Sequence, residues 1–396
     1  MEALKEKAAS WNFYTPEVSR NPYPLLKEIR ETGRAVWHET YQAWIVTHYR
    51  DLVAMCRDEA NFSAKDGIVA HNFGEYTLLA QDGALHRALR MIWQPAFVHR
   101  MLERLLPQIR ELSLHLLTPV AEKLAAGETA DMAPSNRELP VEITAAMLGV
   151  QSGQRGNFAR WSDEITHMTG YSLPPDHPVE IRRAEAQKGL GDLFREEVAR
   201  RRTEPTDDLI GRLVASGIET QIGESGLIDN LRLLLVAGNE TTSNWFGNSV
   251  VMFDRHPDVQ ARVRADRSLI PAALEEALRM EPATNFSFRR ACSDNARVGD
   301  VLIPKGDQVI LVFGAGNRDP ERWAGPDLYD AMRDTQGHLS FGHGVHTCLG
   351  RDLARLEGLA YFNTFFDLID SYKVIEIDYA LSFPLRGPQK LLIRRA

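Results

Sequence analysis

The chain has 396 residues, 44% hydrophobic and 25% charged, a balance that excludes a disordered protein and leaves room for a large buried core. Its formal net charge of −8 argues against nonspecific nucleic-acid binding. Three cysteines, Cys56, Cys292 and Cys348, are too few for a disulfide framework and suit a reducing compartment, so a cytoplasmic location is expected.

Residues 1–20 carry charge throughout and lack an apolar core, so neither a signal peptide nor a membrane anchor is expected. Nowhere does an apolar run approach the roughly 18 residues that would span a bilayer. NPYPLLKEIRETG reads as a helix with a proline-marked start and an end at Gly33. Residues 35–49 hold two short strand-like runs rich in Val, Trp, Tyr and Ile. Segments near 84–125, 140–150, 155–168, 180–202 and 206–216 read as helices. Residues 225–255 form one long helical pattern, wholly apolar from Leu233 to Ala237, which predicts burial on all sides there. VLIPKGDQVILV (301–312) reads as a hairpin turning at Lys305-Gly306. Residues 313–345 have little periodicity and many Gly, Pro and Asp, and so long a loop is usually functional. With no repeat and no low-complexity linker, the chain reads as mainly α with small β-sheets in a single domain, 1–396.

Chemistry concentrates around Cys348, in the run Phe341-Gly342-His343-Gly344-Val345-His346-Thr347-Cys348-Leu349-Gly350. Gly342, Gly344 and Gly350 let the backbone bend and aim N–H groups at the sulfur. Leu353 and Leu356 recur at helical spacing, which puts Cys348 at the start of a helix, where the dipole favours an anion. A lone thiolate held this way suits an axial ligand to heme iron. A buried structural cysteine is one alternative. A zinc site built from His338, His343, His346 and Cys348 is another, although it lacks paired ligands at short spacing.

Other patterns are weak alone. Glu276 and Arg279 lie three apart on one helix face. Gly238-Asn239-Glu240-Thr241-Thr242 places an acid and alcohols inside an apolar helix, where each costs free energy unless partnered; a local helix kink would also account for them. His86 and Arg90, four apart, would separately be read as surface cations.

The run 341–350 resembles the heme-ligand signature of the cytochrome P-450 family, Phe-x-x-Gly-x-(His/Arg)-x-Cys-x-Gly, and meets every position. Ala237-Gly238-Asn239-Glu240-Thr241 resembles that family's (Ala/Gly)-Gly-x-(Asp/Glu)-Thr, and Arg289 to Asp294 its Arg-x-Ala-x-x-Asp. The resemblance runs from about residue 20 to the C-terminus. It implies the cytochrome P-450 fold as a single heme-containing domain, with heme b and dioxygen as co-substrate. Cys348 would bind iron. His86, Arg90, Arg289 and His346 would meet the heme propionates, and Ala237, Gly238, Phe341, Leu349 and Gly350 would touch the ring. Thr241 would hydrogen-bond dioxygen, and Glu240 would relay protons. Glu276, Arg279 and Arg333 would form a buried ion-pair network holding the Cys348 loop.

A small to medium hydrophobic substrate is implied, against Leu233, Val236, Asn285, Phe286 and Leu385, within a pocket drawing on 66–80, 165–175, 283–288 and 383–385. Asn285, just before Arg289, is the polar exception: it would bond a substrate oxygen or serve the backbone of its own loop. Arg87, Arg100, Arg104, Arg351 and Arg355 would form a basic surface for an iron–sulfur ferredoxin, itself reduced by an NAD(P)H-dependent reductase. The implied activity is insertion of one oxygen atom of dioxygen into the substrate. A peroxide-driven peroxygenase and a noncatalytic heme sensor remain as alternatives on the same fold.

Overall fold

The computed structural model describes residues 7–65, 73–150, 155–166, 174, 176–382 and 384–396, without the side chains of 155, 159, 163 and 166. The expected pocket contributions of 66–72, 167–173, 175 and 383 lie outside the described residues.

The chain opens with α1 (Pro16–Arg20), whose first turn is capped by the Thr15 hydroxyl, and α2 (Tyr23–Thr32), which ends at Gly33. Strands β1 (Ala35–His38) and β2 (Ala43–Val46) form an antiparallel hairpin, followed by α3 (Tyr49–Arg57) and the short β3 (Phe62–Ser63). The expected continuous helix near 84–125 is instead interrupted. Helix α4 (Gly83–Trp93), a 3₁₀ turn at Gln94–Phe97, α5 (His99–Leu102), another 3₁₀ turn and α6 (Leu106–Ala125) follow one another. Pro95 and Pro107 explain the breaks, since neither has an N–H to donate.

After β4 (Ala130–Asp131) come α7 (Ala133–Leu148), α8 (Arg155–Thr166), α9 (Pro178–Thr203) and α10 (Leu209–Ala215). Helix α11 (Glu219–Arg255) is the axis of the molecule, broken once at Gly223. Its N-terminal half, with Leu227, Leu231 and Leu235, packs with Leu190, Phe194 and Leu213 of α9 and α10. Its C-terminal half, with Phe246, Val250 and Phe253, packs with Leu117, Ile143 and Phe362. Each such side chain, fully buried, contributes about 1.5–3 kcal/mol. Burial is not uniform through 233–237, as the apolar run suggested: Leu235 is enclosed, whereas Ala237 opens on an internal cavity.

Helices α12 (Pro257–Ala265) and α13 (Ile270–Met280) lead into β5 (Phe286–Ala291), β6 (Arg297–Val298), β7 (Val301–Leu302) and β8 (Gln308–Val312). The expected 301–312 hairpin is not formed. Its turn exists, with Asp307 N–H donating to Pro304 O at 3.1 Å, but β7 pairs with β6. Strand β8 pairs instead with β2, in parallel, and with β5, antiparallel, in a sheet ordered β1-β2-β8-β5-β3. After the short α14 (Phe313–Gly316), an irregular stretch leads to the Cys348 loop and α15 (Arg351–Leu368). Strands β9 (Lys373–Tyr379) and β10 (Pro388–Arg394) complete a second sheet with β4.

Candidate active site

Cys348 ends a tight loop. Its N–H donates to Phe341 O at 2.8 Å, and the Thr347 N–H and hydroxyl both donate to Gly344 O. Gly342 and Gly344 take positive φ, 69° and 73°. A Cβ on Gly344 would fall 2.1 Å from the carbonyl oxygen of Cys56, at the end of α3. Gly350 differs from the expectation: its φ of −86° is ordinary, and it serves as the N-cap residue of α15.

The Cys348 side chain opens on a cavity of about 380 Å³. Burial raises its thiol pKa above the ordinary range; the Gly350 amide and the charges of Arg90, Arg351 and Arg355 oppose this without reversing it. The loop amides therefore do not make a thiolate by themselves. A coordinated metal would, because it deprotonates the thiol it binds.

One stripe of α11 lines the same cavity: Leu233, Val236, Ala237, Gly238, Thr241 and Thr242. The Thr241 hydroxyl donates to Ala237 O at 2.8 Å, the usual back-bond of a threonine in a helix. Gly238 is also required by α7: a Cβ there would lie 2.8 Å from Thr144 Oγ1, another residue of the cavity wall. Glu240 is partly buried and does not line the cavity.

His86, Arg90, Arg289 and His346 converge on the cavity. The His86 and His346 rings sit 4.2 Å apart, and both ring nitrogens of His86 are buried without a partner. Burial, then the charges of His346 and Arg90, lower its pKa to about 4. Arg90 donates to Thr347 O at 2.9 Å, and Arg289 to Phe288 O at 2.7 Å. Arg290 instead reaches Gly306 O and does not line the cavity. His346 Nε2 lies 3.0 Å from Asp82, a residue not singled out in the sequence. Burial alone would raise the Asp82 carboxyl, but His346, Ser63 and the Ala64 amide outweigh it and hold it at about 2.

The three histidines near Cys348 do not converge as zinc ligands. His338 pairs with Glu275, His343 accepts from Arg57, and His346 faces Asp82. Among the described residues no group of three His, Cys, Asp or Glu could hold a metal ion.

Glu276 and Arg279 are fully buried and form a two-point ion pair at 2.6 and 2.8 Å. Arg333 joins at 2.9 Å, and Arg279 also donates to Asn317 O and Pro326 O. Asn317 in turn holds the Leu339 N–H and the Ser340 hydroxyl, just before Phe341. Beside this network lies a second one that the sequence reading missed. Glu275 takes His338 at 3.0 Å and Arg355 at 2.8 and 3.0 Å, while Arg355 covers the Phe341 ring at 4.9 Å. Arg355 is thus tied to the loop, while its side chain stays 41% exposed on the surface. Arg87, Arg100, Arg104 and Arg351 are exposed.

Of the expected substrate contacts, Leu233, Val236, Phe286 and Leu385 line the cavity, but Asn285 does not. Its buried Oδ1 packs on Gly314, where a Cβ would come within 2.3 Å. Thr284 and Ser287 supply polar groups to the wall instead. Glu357 of α15 also lines it, and burial pushes its carboxyl up to about 8. The signal for Glu357 was an acid within an otherwise apolar helix face. Among the described residues no helix is long and apolar enough to cross a membrane.

The family model for cytochrome P450 matches residues 16–368. The chain is 33% identical over 394 residues to the cyclomarin C epoxidase CymV of Salinispora arenicola (strain CNS-205), covering 96% of this chain and 97% of that one. It is 31% identical over 398 residues to the 6-deoxyerythronolide B hydroxylase of Saccharopolyspora erythraea, covering 94% and 95%. The structure of P450BioI in complex with hexadec-9Z-enoic acid-ligated acyl carrier protein superposes with a TM-score of 0.87 at 28% identity, over 96% of this chain and 99% of that one.

Proposed function

The chain belongs to the cytochrome P450 family and is a monooxygenase using heme b and dioxygen, and from that premise we propose that Cys348 is the iron ligand of a single-domain enzyme that oxygenates a small to medium hydrophobic molecule. One observation carries the assignment: Cys348, the Thr241 stripe and the unpartnered His86 all face one cavity. The residues fit heme. A buried imidazole with two unsatisfied nitrogens needs a polar partner, and a propionate is one.

When bound, heme supplies the activation of dioxygen and the insertion of one of its oxygen atoms into the substrate. The chain does the rest. Cys348 Sγ would hold the iron. His86, Arg90 and Arg289 would offer N–H groups to the propionates, with His346, whose Nε2–H donates to Asp82, packed against His86 beside them. Leu233, Val236, Phe286 and Leu385 hold an apolar substrate and exclude water. The Thr241 hydroxyl, its proton on Ala237 O, keeps lone pairs for a hydrogen bond from the cavity side. Glu240, next to it on α11, would pass protons toward it.

Relatives named as hydroxylases and epoxidases support attack on a C–H bond or a double bond. Arg87, Arg100, Arg104 and Arg351 lie on or beside α4, α5 and α15, the elements flanking the Cys348 loop. Exposed Met91 and Val345 are on the same side. A basic surface with apolar centres suits an acidic iron–sulfur ferredoxin, reduced from NAD(P)H in the cytoplasm. The test has two parts. Reduced protein with carbon monoxide should give a strongly red-shifted Soret band. A screen of hydrophobic compounds for the low-spin to high-spin shift should then find substrates that turn over with NAD(P)H, a reductase and a ferredoxin. Tight heme binding with no product from any spin-shifting compound would overturn the enzymatic reading in favour of a sensor.

A further inference from the structure

Asn230 sits on α11 between Leu227, Ile228, Leu231 and Leu233, and is wholly buried. An amide there costs free energy unless every bond is found. Only one of its bonds is internal to the helix: Nδ2 to Gly226 O at 2.7 Å. The other two leave it. Oδ1 accepts the Leu78 N–H at 2.9 Å, and Nδ2 donates to Tyr76 O at 2.8 Å. The same stretch of chain is held again at Gly74. Its φ is 98°, and a Cβ would fall 2.3 Å from Asp229 Oδ2, so the backbone lies directly on the Asp229 side chain. Asp229 accepts from Arg232 at 3.0 Å, and Arg232 donates to Gln187 O of α9 at 2.9 Å. One turn of α11 thus grips the 74–78 loop on one side and α9 on the other.

That loop is a wall of the cavity: Phe73, Leu78 and Leu79 line it, as do Leu233 and Leu234 on the next turn of α11. We propose that Asn230, braced by the Asp229–Arg232 pair, is a specificity-determining positioning residue that fixes how far the 73–79 wall stands from the substrate. It touches neither substrate nor heme and acts through backbone groups of Tyr76 and Leu78. The inference rests on reading the cavity as the heme and substrate chamber.

The experiment uses heme-loaded wild type and Asn230→Leu, which keeps the branched shape and removes both bonds to the loop. The probes are imidazole, which needs little room beside the iron, and clotrimazole, which needs much; both are followed by the Soret shift in stopped flow. Losing two neutral hydrogen bonds should raise the open population of the wall by about tenfold or more, so clotrimazole should associate about tenfold faster while imidazole stays within about twofold. The Leu78 amide should exchange its hydrogen faster, and the reduced carbon monoxide band should be unchanged. Unaltered rates for both azoles, or equal changes for both, overturn the positioning role. If Asn230→Leu loses heme, Gly74→Ala, which pushes the loop off Asp229, takes its place with the same expected selectivity and the same refuting results. A wild type whose Soret band ignores imidazole would overturn the chamber reading itself, a separate outcome.

Discussion

Glu276→Gln isolates what the buried ion pair does. Glu276 Oε1 accepts from Arg279, Arg333 and the Asp330 N–H at 2.8, 2.9 and 3.2 Å, and Oε2 accepts from Arg279 at 2.6 Å. Glutamine keeps one acceptor oxygen and turns an amide N–H₂ toward guanidinium donors. Breaking a buried pair from one side costs about 3–5 kcal/mol, a large part of the roughly 5–15 kcal/mol that holds a typical domain together. For a chain of this length that loss lowers Tm by about 4–6 °C. The damage should also reach the cofactor, because Arg279 anchors Asn317, and Asn317 anchors Leu339 and Ser340 beside the Cys348 loop. The assay measures heme per protein by pyridine hemochrome and melting by circular dichroism at one scan rate. Glu31→Gln is the control, since its pair with Lys27 is exposed at 60% and 61% and should leave both readouts alone. A Glu276→Gln protein fully loaded with heme and melting within about 1 °C of wild type would refute the argument.

Cys348→His should abolish the red-shifted Soret band of the reduced carbon monoxide complex, whereas Cys292→Ser should keep it; the reverse pattern would move the ligand to Cys292. Thr241→Ala removes only a back-bond to Ala237, so heme binding should persist and stability should fall by about 1 kcal/mol or less. Product per NAD(P)H should drop as hydrogen peroxide rises, and an unchanged ratio would show that the hydroxyl has no part in proton delivery. Glu240→Gln should slow the whole cycle, measured as NAD(P)H consumption. Glu357 has a pH signature. Burial raises its pKa from 4.5 to about 8, so the folded state keeps a proton that the unfolded chain releases above 4.5. Stability should therefore fall as pH rises from 4.5 to about 8. Glu357→Gln should remove that slope and gain more over wild type at the alkaline end; a Tm difference that does not vary with pH would contradict it.

The Cys348 loop, the α11 motif and the Glu276–Arg279 pair were legible because each shows itself as a short run of closely spaced residue types, whatever distant partners it also has. What failed involved partners far along the chain. The 301–312 segment has strand character and a real turn, but period-two patterning cannot say that Val309 faces Trp44 in parallel. Asn285 looked like a substrate contact because it stands next to cavity residues. Only the fold shows Gly314 opposite its oxygen. Asp82 and Glu275, and the pairing of His338 with Glu275, went unnoticed for the same reason: each is an ordinary polar residue until the fold brings its partner. The two contacts of Arg355 with Glu275, which span 80 positions, could not be read from the sequence either.

The contact of Gly344 with the carbonyl of Cys56 bears on how the protein is made. Around it, Arg57 bonds His343 across 286 positions, Tyr49 bonds Gly337 across 288, and Arg30 bonds Ala315 across 285. The two sides of this contact are therefore synthesised far apart in time, α3 well before the Cys348 loop. Until the Cys348 loop leaves the ribosome, the face of α3 that it packs against has no partner from that loop. Closing such distant contacts is slow. A chain truncated before residue 341 would keep most of its helices and still have nowhere to place the iron.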